Sequence, residues 1–590
     1  MVEAHSSKAS NGSSKIPASS LPDLSHHINA STAERAPNML KKMYPYLENP
    51  AFVSLGGGLP HPSTFPILKA SFELPQPPNY DGTPYIHPST STSNGHAATN
   101  GHVNGHSAKQ DQHHHHATHG HGVKEPSVPG KTTMNMYKGP QVGGAHAALD
   151  LAQAQQYARP MGFQSLMEPL RRLTELLHAP QYEFAQIPTG GNTDASTKVF
   201  RALLDRDDTL LVEDFEFAPP MAAAKALGAG IKGVEIDTQG IVPEALDEML
   251  NNWDSEIRGK KPHLLYTVPN SQNPSSASVT LERAKAVYAV AQKHDLIILE
   301  DDPYYWLVLD RYDGPANVDE EDSRQDEDRV LLKDVRDLDS FARSLPNSYL
   351  SIDTDGRVLR LDSFSKCFAP GMRLGWLTGS PAMIERMQRI AETDSQEVNG
   401  LSQAFFAQLL SEPHLNHTNE AWGLDGFARW ICDIRRQYSS KRDRLLNGIS
   451  KHCSSDHIRC KPCPQSGMFA WLEVNLDKHP EFRKDVRETS GNELGPKTNT
   501  VELMQRLFDL CIDECVLILQ SNIFAAQPAL PKALDNPHPK ALEAIKLEEA
   551  ALSDRSVFLR ACFAGNHEQL DLAAVRLGKA VARFFDGDRP

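Results

Sequence analysis

No stretch of the 590-residue chain approaches the roughly 20 apolar residues needed to span a bilayer, so no membrane-spanning helix is expected. The opening residues, MVEAHSSKASNGSSKIPASS, lack a hydrophobic signal core, and the terminal GDRP is neither a retention nor a peroxisomal signal. The expectation is a cytoplasmic protein. Cysteine is scarce, with 8 in the whole chain, which excludes a disulfide scaffold. Cys460 and Cys463 form a lone C-x-x-C with no second ligand pair after it, so they read as reduced thiols rather than a zinc site. Positive charge is also short. Sixty Lys and Arg face 75 Asp and Glu, for a net charge of −15, and no strong basic patch stands out. That balance argues against a general affinity for nucleic acid or anionic membrane. The first 130 residues show no helix-turn-helix pattern, which counts against a DNA-binding regulator.

What is present is a soluble-protein composition, 39% hydrophobic and 23% charged, on a chain too long for one core. Residues 1–20 are Ser- and Lys-rich and read as a disordered tail. Residues 21–70 read as an N-terminal arm joining a small domain, ending in Leu55-Gly56-Gly57-Gly58-Leu59-Pro60. From 75 to 130 the chain is rich in His, Gly, Asn and Ser and reads as a low-complexity insertion. Its row of histidines from His113 to His116, with His119 and His121, is taken as a solvated loop, and no catalytic metal is expected. From 133 to 400, short apolar runs at 209–213, 264–268, 296–299 and 358–361 alternate with amphipathic stretches. One of these, 281–294, places Leu281, Ala284, Val287, Tyr288 and Ala291 on one face behind Thr280 as N-cap. This alternation predicts an α/β domain around a mainly parallel sheet, with ligands at the strands' C-terminal ends. Residues 311–348 read as a surface insertion, and 401–590 as a smaller α+β domain.

The most informative string is Ser363-Phe364-Ser365-Lys366-Cys367-Phe368-Ala369-Pro370-Gly371-Met372-Arg373-Leu374-Gly375-Trp376. A lysine follows a predicted strand, flanked by two hydroxyls, with an arginine seven residues on. Alone, such a lysine is an ordinary surface residue. Together the group offers an amine for a Schiff base, and hydroxyls and a guanidinium for a phosphate. Leu299-Glu300-Asp301-Asp302-Pro303-Tyr304-Tyr305 puts carboxylates at a strand's C-terminal end. Val268-Pro269-Asn270-Ser271-Gln272-Asn273-Pro274-Ser275-Ser276 forms a further turn, and Pro188-Thr189-Gly190-Gly191-Asn192-Thr193 is a Gly-rich turn opening a helix, able to present N–H groups to phosphate. Arg560 sits inside the apolar strand Phe558-Leu559-Arg560-Ala561-Cys562, where burial is costly without an anionic partner.

In this order the motifs resemble the class I/II aminotransferases, fold type I of the pyridoxal-phosphate enzymes. The resemblance covers roughly residues 30–70 and 133–590. It implies a large domain with a mainly parallel seven-stranded sheet between helices, a smaller α+β domain, and pyridoxal 5′-phosphate as cofactor. Lys366 would carry the cofactor, Asp301 would pair with its pyridine nitrogen, and Tyr304 and Asn273 would bond its phenolic oxygen. Gly191, Asn192, Thr193, Ser363, Ser365 and Arg373 would cradle its phosphate, and Phe217 would stack on the ring. Arg560, with Asn273, would hold the substrate carboxylate. Ser275-Ser276 stand where the family has Thr-Gly. The branch that looks nearest holds the fungal aromatic and the kynurenine/α-aminoadipate aminotransferases. That implies a substrate loop at Gly57 and Gly58, and a homodimer in which Tyr157 reaches the neighbouring subunit's phosphate. The implied reaction moves the amino group of an aromatic or broad range of L-amino acids to a 2-oxo acid such as 2-oxoglutarate. Kynurenine or L-2-aminoadipate is the alternative donor. A lyase on the same fold and a cofactor-sensing regulator are the other readings.

Overall fold

A computed structural model describes residues 15–35, 65–85, 131–139, 149–314, 330–412, 421–534 and 537–587. In chain order its strands are β1 (Lys69–Pro75), β2 (Lys131–Tyr137), β3 (Ala185–Thr189), β4 (Thr209–Glu213), β5 (Gly230–Val234), β6 (Ile236–Asp237), β7 (Gly240–Ile241), β8 (Leu264–Thr267), β9 (Ile297–Asp301), β10 (Val358–Ser363), β11 (Gly375–Gly379), β12 (Ile458–Cys460), β13 (Phe469–Val474), β14 (Leu519–Gln520) and β15 (Phe558–Cys562). Every residue of β4, β8, β9 and β10 is buried, which is why these strands read as continuous apolar runs rather than as alternation.

The large sheet has the order β3-β11-β10-β9-β8-β4-β5. Pairings from β10 through β9, β8 and β4 to β5 are parallel, and β11 is antiparallel to both β10 and β3. The C-terminal ends of all the other strands therefore share one edge with the start of β11. That edge collects the segments after Thr189, Glu213, Thr267, Asp301 and Ser363, and the one before Gly375. Helices cover the sheet, among them Asn192–Leu203 and Leu281–His294, the latter capped by Thr280 as expected. A second, antiparallel sheet has the order β12-β13-β15-β14. The 30-residue helix Gly423–His452, about 45 Å long at 1.5 Å per residue, links the two regions. Its Phe427 and Ile431 join the aromatic core around Phe364 and Trp376, and its Leu445 and Ile449 join the core under β13.

Several expected boundaries move. Residues 21–35 of the arm dock on the large sheet's helices rather than on the smaller sheet. The Asn29 side chain donates to the carbonyls of Arg201 and Leu204 at 2.9 and 3.0 Å. Ile16, placed in the tail, bridges to Tyr182. In the insertion, residues 75–85 are packed: Tyr80 is buried and donates to Asp425 at 2.7 Å, while 86–130, with the histidine row, lie outside the described residues. β1 and β2 pair across that insertion in a register the sequence did not announce. Of the 311–348 excursion, residues 330–348 are not a surface feature, since Leu332, Val335 and Phe341 enter the aromatic core. The helix Gly400–Leu410, expected at the start of the smaller domain, is buried along most of its length in that same core. Its apolar residues run all round the helix, which requires cover on every side.

Candidate active site

The sheet edge brings the sequence motifs together. β9 ends on Asp301, which is buried between two donors. Asn192 Nδ2 donates to Oδ1 at 2.6 Å and the Tyr266 hydroxyl to Oδ2 at 2.7 Å. Burial raises the Asp301 pKa, while the bonds from Tyr266 and Asn192 pull the other way by favouring the charged form. Asn192 opens its helix next to Gly191, whose φ of +100° suits glycine. A Cβ at Gly191 would lie 2.6 Å from Arg373 Nη2. Arg373 follows the single turn Pro370–Met372 with φ +48° and donates to the Gly190 carbonyl. The lysine motif thus folds back onto the Gly-rich turn. Ser363 and Ser365 hydroxyls are 2.7 Å apart beside it, and Lys366 is half-buried. Thr193 is exposed in the first turn of its helix.

Opposite, the turn after β8 carries Asn273, buried, whose Oδ1 accepts from Arg560 Nη1 at 2.7 Å. The departure at Ser275-Ser276 is accommodated: Ser276 takes φ +61°, the region glycine favours, and its hydroxyl donates to the Phe469 carbonyl at 2.7 Å. Gln272 Oε1 holds Ser275 through both its N–H and its hydroxyl, at 2.8 and 2.7 Å. Tyr304 is buried beside Phe469, and burial pushes its hydroxyl pKa up. Phe217 leads its helix with 38% of its surface exposed, as a ring facing an open site would. Tyr157 is 55% exposed, and Gly57 and Gly58 lie outside the described residues.

A sequence profile for "Aminotransferase class I and II" matches residues 134–530. The chain is 32% identical to an L-tyrosine:2-oxoglutarate aminotransferase of Serpula lacrymans, over 95% of this chain and 96% of that protein. It is 31% identical to an aromatic amino acid aminotransferase of Schizosaccharomyces pombe, over 86% and 91%. The solved structure of aminotransferase Aro8 from Candida albicans superposes with a TM-score of 0.72 at 27% identity, covering 96% of this chain and 99% of that one. The chain belongs to the class I and II aminotransferases.

Aminotransferases of this class use pyridoxal phosphate, and the residues present fit it. The Gly191–Arg373 approach leaves space where a side chain would intrude, beside two serine hydroxyls and a helix N-terminus, as a phosphate requires. Asp301, held by two donors at the end of a buried strand, suits a pyridine nitrogen. Lys366 lies at the same edge.

Three groups escaped the sequence reading. Tyr266 lies within an apolar strand, and nothing local marks it as Asp301's partner. Glu213 and Glu216 are fully buried near Asp301, and each has one carboxylate oxygen without a partner among the described residues. Burial raises the pKa of both, and their mutual repulsion raises Glu216 further. Arg360 is fully buried in β10 with Glu300, Asp302 and Asp362 around it. Like Arg560, it is an arginine inside an apolar strand, a signal visible in Val358-Leu359-Arg360-Leu361.

Proposed function

We propose that this aminotransferase moves the amino group of aromatic L-amino acids to 2-oxoglutarate, as a cytoplasmic homodimer. The observation that carries the site assignment is the convergence of Lys366, Asp301, Asn273, Arg373 and Gly191 on one sheet edge. Bound pyridoxal phosphate supplies a carbonyl that takes up the amino group and a ring that takes up electrons. The chain's own residues do the rest. Lys366 Nζ would hold the cofactor at rest and, once the substrate amine has replaced it there, would be the free base that takes the proton from the substrate Cα. Asp301 would pair with the protonated ring nitrogen, and the bonds from Tyr266 and Asn192 favour the charged form of that carboxylate against its burial. Tyr304 and Asn273 orient the ring's phenolic oxygen. Gly191, Asn192, Thr193, Ser363, Ser365 and Arg373 bind phosphate, and Phe217 covers the ring face. Arg560 pairs with the substrate carboxylate, which offsets its own burial.

The aromatic preference rests on the relatives' named activities and on the rings near Arg560, where Phe215 packs edge-on against Trp471 and Phe558 stacks on Trp471 at 4.9 Å. The homodimer rests on the exposed Tyr157, which suits a partner subunit's phosphate. The compartment rests on the cysteines, none of which is in a disulfide. Among the described residues no helix is long and apolar enough to cross a membrane. The test is Lys366→Ala. Purified protein should absorb in the visible from its lysine-bound cofactor and transaminate tyrosine or phenylalanine with 2-oxoglutarate, and the variant should lose both. Full turnover by the variant refutes the assignment. Preference for 2-aminoadipate in a donor panel refutes the substrate class alone.

A further inference from the structure

The Arg560 guanidinium lies over two phenyl rings. Its carbon lies 4.3 Å from the Phe469 ring centroid and 4.7 Å from that of Phe524. Within its plane, Nη1 donates to Asn273, and Nε has no acceptor among the described residues. Two rings at contact distance shed water from the guanidinium, and that loss of water strengthens its meeting with an anion at the N–H groups left free. Both rings are also tied to the cofactor side of the site. Phe469, in β13, accepts the Ser276 hydroxyl through its carbonyl at 2.7 Å. Phe524, just after β14, accepts the Glu216 N–H through its carbonyl at 2.7 Å, and the next residues pair with the strand edge at Phe215. The turn bearing Asn273 and the loop bearing Phe217 are thereby coupled to the orientation of one guanidinium.

We propose that Phe469 and Phe524 are positioning residues that clamp Arg560, fixing its plane for an in-plane grip on the substrate α-carboxylate. This rests on Arg560 as the carboxylate anchor. The ordinary alternative is that the two rings only fill space, or that they touch the substrate's side chain directly.

The holoenzyme is titrated with 3-phenylpropionate and, separately, with its uncharged amide, following the visible cofactor band. Phe524→Leu should weaken the carboxylate about fivefold, the worth of one partly exposed cation–π contact, and leave the amide unchanged. KM for the amino donor should rise by a similar factor, with kcat altered less. Phe524→Tyr should return both to within about twofold, because tyrosine keeps the π face that leucine lacks. Equal losses for carboxylate and amide, or equal behaviour of Leu and Tyr, overturn the clamp. If Phe524→Leu fails to retain the cofactor band, Phe469→Leu and Phe469→Tyr are compared by the same titration with the same criteria. Arg560→Lys separates the two ideas. If it leaves carboxylate affinity unchanged, the anchor assignment itself fails, whatever the phenylalanine variants do.

Discussion

Replacing a buried acid with its amide should stabilise this protein at neutral pH, and Asp302→Asn is the place to see it. Asp302 is fully buried beside Arg360, whose Nη1 lies 3.2 Å from Oδ2, while Asn270 donates to the same oxygen at 2.6 Å. Oδ1 has no partner. Arg360 also serves Glu300 and Asp362, both at 2.9 Å, so one cation faces three carboxylates. Burial pushes the Asp302 pKa up to about 8, Arg360 opposes that, and Glu300 adds to it. A raised carboxyl pKa means the folded chain keeps a proton that the unfolded chain gives up. The resulting stability is fully present below the unfolded pKa of 3.8 and is lost as pH rises through about 8. Asparagine does not titrate and offers the same acceptor to Arg360 and Asn270. Relative to wild type, the variant should therefore gain about 1.4 kcal/mol per pH unit, or about 3 kcal/mol between about pH 5 and 7, levelling off above about pH 8. The assay is the urea midpoint of the cofactor-free protein, followed by circular dichroism at several pH values. The difference between the two proteins is what counts, since other groups titrate in both. Parallel curves from about pH 5 to 8 would refute the reasoning, because Asp302 would then be ionised in both states and Arg360 would outweigh burial.

Two further perturbations address the cofactor side. Tyr266→Phe removes the hydroxyl that donates to Asp301 Oδ2 at 2.7 Å. With burial less opposed, the Asp301 carboxyl should hold its proton to higher pH, the acid limb of the pH–rate profile should move up, and kcat should fall about tenfold, as loss of a hydrogen bond to a charged group predicts. An unmoved acid limb counts against Tyr266 as Asp301's partner. Gly191→Ala puts a Cβ 2.6 Å from Arg373 Nη2 at a φ of +100°, so phosphate binding should weaken at least about tenfold in a fluorescence titration of the cofactor-free protein. Wild-type affinity would mean that the Gly191–Arg373 approach is not the cradle.

The sequence was most legible where a motif is contiguous and its strand fully buried. Lys366, Asp301 and Asn273 each follow an apolar run, and the edge of a parallel sheet is where such runs end. Their grouping therefore needed only the fold class and family order. Tyr266 was illegible for the opposite reason: inside the run Leu264–Thr267 a tyrosine looks like another large apolar side chain, and only the register of β8 beside β9 sets its hydroxyl against Asp301. Helix Gly400–Leu410 failed similarly. Its position in the chain suggested the smaller domain, but a helix apolar on every face must go where cover exists, and that is the aromatic core with Phe364 and Phe427. Asn29 shows what composition hides at the N-terminus. Besides burying Leu24 and Ile28 against the core, the arm docks through one buried amide that satisfies two carbonyls at the end of the helix Asn192–Leu203, a contact that composition does not show. Partners likewise separate the two arginines in strands. Arg560 and Arg360 look alike in sequence, but Arg360 meets three carboxylates of its own chain, whereas Arg560 meets an amide and two rings. An arginine given that little negative charge by its own fold is suited to receive it from a ligand, and that contrast, rather than the motif around it, is the physical case for Arg560 as the substrate's partner.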